Sequence, residues 1–277
     1  MMRKRIKEVM LFLALFFGLA FTFFPLIWTI TNAFKMPQEY FLYQPSITAW
    51  LPREPTLKNF EYVFIQTKSL VYMLNSFIIG SMTTLFVLLL GTPAAYSLAR
   101  FKLGGDRLAE WILSMRMIPP IVTVIPLFIL FSDLGLVDTP LGLILVYTAY
   151  NLPFAIWLMM GFFREVPVEV EEAALVDGGS RFKVFIKISL PLVAPGLVVT
   201  TIFTFIFSWN EFLFALILTR ENARTIPIQL SFFEAPFIVP FGEMSALSLV
   251  TITPVIILTL AIQRYLVRGL TFGALKG

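Results

Sequence analysis

Glu172-Ala173-Ala174-Leu175-Val176-Asp177-Gly178, with Ile188-Ser189-Leu190-Pro191 following after nine intervening residues, forms a charged, turn-containing island between two apolar runs. Upstream, Thr139 to Phe163 carries no charge; downstream, Ile188 to Asn210 carries none. Runs of this length read as membrane helices, because about 20 apolar residues at 1.5 Å rise cover the hydrocarbon core. The island is then a connection outside the bilayer, and the side on which it lies orients the whole chain.

Composition agrees with a lipid environment. The 277 residues are 58% hydrophobic, 16% aromatic and only 14% charged, with a mean hydropathy of +0.86. A soluble domain of this size cannot bury that much apolar surface. There is no cysteine and no histidine, which excludes Cys/His metal sites, Cys nucleophiles and histidine acid–base chemistry. Neither a G-x4-G-K-[ST] phosphate loop nor a G-x-G-x-x-G turn occurs, so any ATP the protein's work consumes must be bound by another chain.

The expected fold is an all-α integral membrane protein, a single permease-like domain over 1–277 with six spans near 9–34, 70–98, 111–132, 140–163, 190–218 and 243–264. Arg3, Lys4, Arg5 and Lys7 precede the first span, which is too long for a signal-peptide core and has no small-residue cleavage pattern after it; a retained signal-anchor is expected. With the N-terminus inside, fourteen of the 21 Lys and Arg residues fall in inner segments, among them Arg100, Lys102, Arg107, Arg164, Arg181, Lys183, Lys187, Arg264, Arg268 and Lys276. Six fall outside and Arg116 lies within a span. The positive-inside rule then places both termini and the 164–190 loop in the cytoplasm. The outer segment 35–68, with Pro37, Pro45, Pro52 and Pro55, is expected to be loop with one short helix after Pro55. No soluble domain and no internal repeat is visible.

Within the island, Pro167 suits a first helical position and the glutamates after it suit the positive end of a helix dipole. Gly178-Gly179 stops that helix, and Ser180 is placed to cap a second one through Phe182, Phe185 and Ile186 towards Pro191. Two readings stand on these residues alone: a protein docking surface whose two alanines let a partner backbone approach, or an amphipathic connector on the headgroups. The connector accounts for Lys183 and Lys187. It does not account for the glutamate cluster, which anionic lipid would repel.

The island matches E-A-A-x3-G-x9-I-x-L-P at every fixed position, the signature of permease subunits in binding-protein-dependent ABC importers. Further stretches resemble the carbohydrate-uptake branch, in particular the second, six-helix permease of maltose-type systems. They are Phe24-Pro25-Leu26-Ile27-Trp28, Thr56-Leu57-Lys58-Asn59-Phe60, Ala94-Ala95-Tyr96-Ser97-Leu98-Ala99-Arg100, Ser208-Trp209-Asn210-Glu211-Phe212 and Arg264-Tyr265-Leu266-Val267-Arg268-Gly269-Leu270-Thr271. Gly179, where the family often has alanine, is a departure expected to loosen the turn. The resemblance covers nearly the whole chain and implies a type I importer permease in a bacterial or archaeal cytoplasmic membrane. It would pair with a related permease, two ATPase subunits and an extracytoplasmic binding protein, and bind no nucleic acid. The cargo implied is a mono- or oligosaccharide or a related polyol or glycoside. ATP and magnesium belong to the ATPase, with no cofactor on this chain. Glu171, Glu172, Ala173, Ala174, Asp177, Gly178, Phe182, Phe185 and Pro191 would form the coupling segment that enters a cleft of the ATPase, and Thr219 to Pro240 would meet the binding protein.

Polar groups inside spans are costly and tend to face protein or a water-filled path. Thr200, Thr204, Ser208 and Glu211 fall within roughly 80° on a helical wheel, and Asn210 adjoins them. They are candidates for the translocation path, with helix–helix packing through hydroxyls as the alternative. Trp209 is read as a belt residue or a stacking surface for a sugar. Arg116 is expected to snorkel or to pair with Glu110 or Asp106. Pro119-Pro120, Pro126, Pro153 and Pro254 are expected to break their helices. A secondary transporter or channel without an ATPase would need midplane ion-coupling acids or inverted repeats, and leaves the island without a role. An intramembrane enzyme would need a catalytic pair within helices, whereas Asp106, Asp133, Asp138 and Asp177 all fall in loops.

Overall fold

In the computed structural model, residues 2–40, 50–101, 104–233 and 240–274 are described. Pro45, Lys102, Lys276 and residues 234–239 of the outer segment lie outside the described residues, as do the side chains of Arg3, Lys4, Asp106, Arg264 and Arg268. Every regular element described is helical.

The helices are α1 (Met2–Ala33), α2 (Lys58–Glu61), α3 (Ser69–Phe101), α4 (Gly105–Ser114), α5 (Pro120–Asp133), α6 (Pro140–Glu165), α7 (Val168–Val176), α8 (Arg181–Val184), α9 (Leu190–Leu192), α10 (Ala194–Trp209), α11 (Leu213–Leu218), α12 (Ile226–Ser231) and α13 (Phe241–Ala274). Four are long and apolar enough to cross a membrane: α1, α3, α6 and the 241–261 part of α13. Two bent pairs raise the number to as many as six. In one, Arg107–Met117 meets Pro120–Asp133 at 82°; in the other, Arg181–Leu192 meets Ala194–Trp209 at 76°. The third and fifth apolar runs are therefore broken helices.

The first break follows from paired prolines. Pro119 pushes Ile118 into extended backbone (φ −66°, ψ 121°), and Pro120 starts α5 where its missing N–H costs nothing. The other prolines behave differently from expectation: α5, α6 and α13 continue past Pro126, Pro153 and Pro254 without ending. In lipid, ending a helix exposes backbone groups with no water to bond, so a single lost hydrogen bond is the cheaper outcome.

The described chain forms two compact units, Met1–Leu70 with Gln229–Thr253 and Val71–Ile228 with Pro254–Gly277. In the first, α1 ends at a polar corner. Asn59 Nδ2 donates to the carbonyls of Ala33 (2.9 Å) and Lys35 (2.8 Å), and Tyr40 Oη donates to that of Asn32 (2.6 Å). The outer segment contributes a 3-10 turn, Pro37–Tyr40, and α2, which continues as a π turn through Gln66.

The second unit holds two large apolar clusters and a smaller one. One packs Ile79, Val124, Phe131, Tyr147, Phe214 and Leu218, the other packs Ala95, Tyr96, Met159, Phe163, Phe185 and Val193 next to α7, and the smaller third one gathers around Val199 and Ile202. Gly196 lets α10 approach α6 closely, since a Cβ there would sit 2.4 Å from the Phe162 ring. Asp138 fastens the segment after α11. Its carboxylate accepts backbone N–H bonds from Arg220 (2.9 Å), Asn222 (3.1 Å) and Ala223 (3.1 Å). Asn75 Nδ2 holds the same segment by the carbonyls of Asn222 and Arg224.

Candidate functional site

The island folds as two short helices around one turn. Pro167 (φ −57°, ψ 132°) precedes α7, and Glu169 and Glu171 occupy its first turn. At the far end Gly178 takes φ +84°; its N–H bonds to Leu175 O and that of Gly179 to Ala174 O. This pair of bonds is a Schellman stop, which requires the left-handed residue that glycine supplies. Gly179 does not loosen the turn: its N–H closes it at 3.0 Å, and a Cβ there would fall 2.7 Å from Ala174 O. Ser180 caps α8, its Oγ accepting from Lys183 N. A π turn, Phe185–Ser189, then leads into α9.

The nine coupling candidates divide by burial. Glu172, Ala173, Asp177, Gly178, Phe182 and Pro191 are exposed, Ala174 is half-buried, and Glu171 and Phe185 are buried. Val176 and Phe182 are 88% and 75% exposed, so the outward face is apolar at its tip and acidic at Glu172 and Asp177. Phe185 turns inward, its ring 4.8 Å from that of Tyr96. Glu171 accepts from Arg100 Nε (2.9 Å), Ser189 Oγ (2.8 Å) and Tyr96 Oη (3.0 Å). Arg100 also donates from Nη2 to Val166 O at 2.9 Å. Two adjacent glutamates thus face opposite ways. Helical phase is no guide to which is which without knowing what lies behind α7; the signal in the sequence was the basic end of the preceding Ala94–Arg100 stretch.

The candidates on α10 are held by their own helix. Thr200 Oγ1 donates to Gly196 O (2.8 Å), Ser208 Oγ to Thr204 O (2.8 Å) and Asn210 Nδ2 to Ile206 O (3.0 Å). Thr204 Oγ1 is buried without a hydrogen-bond partner among the described residues. Glu211 caps α11, accepting from the N–H groups of Phe214 (2.9 Å) and Ala215 (3.2 Å). Trp209 is neither belt nor open stacking surface: it is 1% exposed, stacked on Phe205.

Arg116 departs from the expected snorkel. It sits in a 3-10 turn at the 82° bend, with its guanidinium 5.0 Å from the Tyr150 ring, 5.1 Å from Phe154 and 4.6 Å from Phe207. Its Nη1 donates to Asn151 Oδ1 (3.2 Å), and Asn151 Nδ2 reaches Ser208 Oγ (3.3 Å). Tyr150 and Phe154 lie midway along α6, so this half-buried cation is spread over three ring faces, with no acid paired to it among the described residues. Arg116, Thr123, Tyr150 and Pro153 border an open cavity of about 680 Å³, within the size range of ligand sites. Sequence reading missed Asn151, Tyr150, Phe154 and Phe207, because nothing in a linear apolar run marks which aromatics converge on a cation.

Four helices long and apolar enough to cross a membrane and two bent helix pairs, with one charged helical island, are the make-up of a polytopic membrane protein. The family described as "Binding-protein-dependent transport system inner membrane component" matches residues 87–272. The probable ABC transporter permease protein y4oR of Sinorhizobium fredii is 39% identical over 93% of this chain and 92% of its own length. The trehalose/maltose transport system permease protein MalG of Thermococcus litoralis is 35% identical over 98% of both. In fold, the chain is similar to a crystal structure of a bacterial ABC transporter involved in the import of the acidic polysaccharide alginate. That match has a TM-score of 0.80 and 23% identity, covering 94% of this chain and 96% of the other. The chain belongs to the binding-protein-dependent transport system inner membrane component family, and is an ABC transporter permease.

Proposed function

We propose that this chain is one permease of an ATP-driven importer that passes a sugar, delivered by an extracytoplasmic binding protein, across the cytoplasmic membrane. It works beside a second related permease and above two ATPase subunits, which hold the ATP and magnesium. The single domain crosses six times, each bent pair counting once, with both termini and the 164–190 loop inside. The carbohydrate class is supported by the Thermococcus litoralis relative, named for trehalose and maltose, and by the alginate importer of similar fold.

The observation that carries this reading is the outward face of α7 and its turn. Ala173, Val176, Gly178 and Phe182 stand free of the chain's own core, while Glu171 behind them is tied into it. An apolar tip flanked by acids suits a protein cleft better than an anionic headgroup surface. The proposed solute path runs along the bonded seam of Ser208, Asn151 and Arg116, of which Arg116 borders the cavity. Thr200 and Thr204 then serve the packing of α10, and Asn210 and Glu211 the break before α11.

Replacing Gly178 with leucine tests the reading. ATP-dependent uptake of solute should be lost while the chain still inserts in the membrane at its normal level. Uptake at the wild-type rate would refute coupling through this turn.

A further inference from the structure

The Glu171 carboxylate is a meeting point of four elements. Tyr96 and Arg100 come from the end of α3, and Ser189 from the π turn that leads into α9 and α10. Through Arg100, the carboxylate is also tied to Val166 O, the cap of α6. Both ion-pair side chains are only 7% exposed. Around them, the Tyr96 ring packs on Phe163 of α6 (5.3 Å) and on Phe185 of the π turn (4.8 Å). The opposite side of α7, at Glu172, Ala173 and Val176, is exposed.

We infer that Glu171 is a positioning residue, the strut through which a push on the exposed side of α7 reaches α3, α6 and the α9–α10 leg together. The inference rests on the reading that a partner ATPase acts on α7. A buried carboxylate with both oxygens bonded to fixed donors has no slack, unlike a surface ion pair that water can replace. Arg100 suits the role because its planar fork bonds Glu171 and Val166 O at once, which a lysine ammonium on a flexible stem cannot reproduce. The compliant point lies beyond the strut, at the 76° bend between Leu192 and Ala194. A displaced α7 therefore carries the ends of α3 and α6 as one body and spends its motion in changing that bend.

The test uses the transporter isolated through a tag on this chain, with its own partner chains, in lipid nanodiscs. Spin labels at Val168, at the start of α7 and outside the coupling candidates, and at Leu90, both exposed, report the distance between α7 and α3 without nucleotide and with ATP plus vanadate. In the wild-type background this distance stays sharp and constant. Glu171→Gln should still co-purify with the ATPase, but the distance should broaden and shift with nucleotide. Vanadate-sensitive hydrolysis should fall on the order of tenfold, the factor set by about 1.4 kcal/mol in a barrier. Exchanging the pair, Glu171→Arg with Arg100→Glu, should recover part of both signals. If Glu171→Gln fails to accumulate, Tyr96→Phe and Ser189→Ala each remove one bond and should broaden the distance to a lesser degree. A sharp distance and normal hydrolysis in Glu171→Gln, or in both milder variants, overturns the strut. Loss of ATPase co-purification in Glu171→Gln also overturns it, making Glu171 a docking contact. If the wild-type chain brings no ATPase, it is the underlying functional reading that fails.

Discussion

Gly178 and Glu171 sit seven positions apart on the same short segment and answer different demands. A Cβ at Gly178 would meet nothing within 4 Å, so glycine is required there by its φ of +84° and not by crowding inside the chain. Gly178→Ala should therefore cost only about 1 kcal/mol and leave a folded protein, a fall of a few degrees in melting temperature in detergent. A larger fall would mean that the chain itself crowds this site. Arg116 makes the opposite case. Arg116→Lys keeps the charge but loses the flat contact with three rings, and should lower stability by about 2 kcal/mol, read as a drop in the same melting curve. An unchanged curve would remove the aromatic cage from the account. Residue-scale roles were the least legible in the sequence. Glu171 and Glu172 look equivalent there, and only the position of Arg100 behind α7 separates the strut from the exposed acid.

At the level of elements, apolar run lengths made the helices readable, and prolines marked the break at Pro119-Pro120 but not the one at Val193. Pro119, Pro126, Pro153 and Pro254 carry the same ring, and only the Pro119-Pro120 pair ends a helix, since two adjacent prolines force an extended residue and then restart the next helix. The bend at Val193 was missed although Pro191 and Pro195 flank it, each within the first turn of its own helix. The 219–226 segment yields a pH prediction. Burial raises the Asp138 carboxyl, but backbone N–H bonds from Arg220, Ala223, Asn222 and Glu221 outweigh it and hold the group below the usual carboxylate range. A depressed folded value means that this contribution is complete above the unfolded value of about 3.9 and is lost as pH falls through the lower folded one. Hydrogen exchange in 219–226 should stay slow down to about pH 4 and accelerate below it, and Asp138→Asn should give fast exchange at neutral pH, a local loss of about 1 kcal/mol after solvent screening. Slow exchange in Asp138→Asn would show that the segment is held unaided by Asn75 and by Ser76, whose Oγ accepts from Ile226 N–H at 2.8 Å.

For the molecule as a whole, composition pointed to a membrane protein and the apolar run lengths to helices, and the family was legible because its signature lies in one contiguous island rather than in residues scattered over the fold. The proposed orientation rests on the Lys and Arg distribution, and is checked by cysteine accessibility in sealed right-side-out vesicles. A membrane-impermeant maleimide should label Arg53→Cys and leave Asp177→Cys unlabelled until the membrane is opened; the reverse pattern would invert the topology. The central claim is that the outward face of α7 is where an ATPase pushes. Its most direct measurement is crosslinking from Ala173→Cys, carried on that exposed face, in native membranes with a short sulfhydryl-to-amine reagent. The account predicts a single adduct containing this chain and the ATPase subunit, with a yield that changes when ATP and vanadate are added. Adducts with lipid alone, or none at all from a folded and inserted chain, would contradict it.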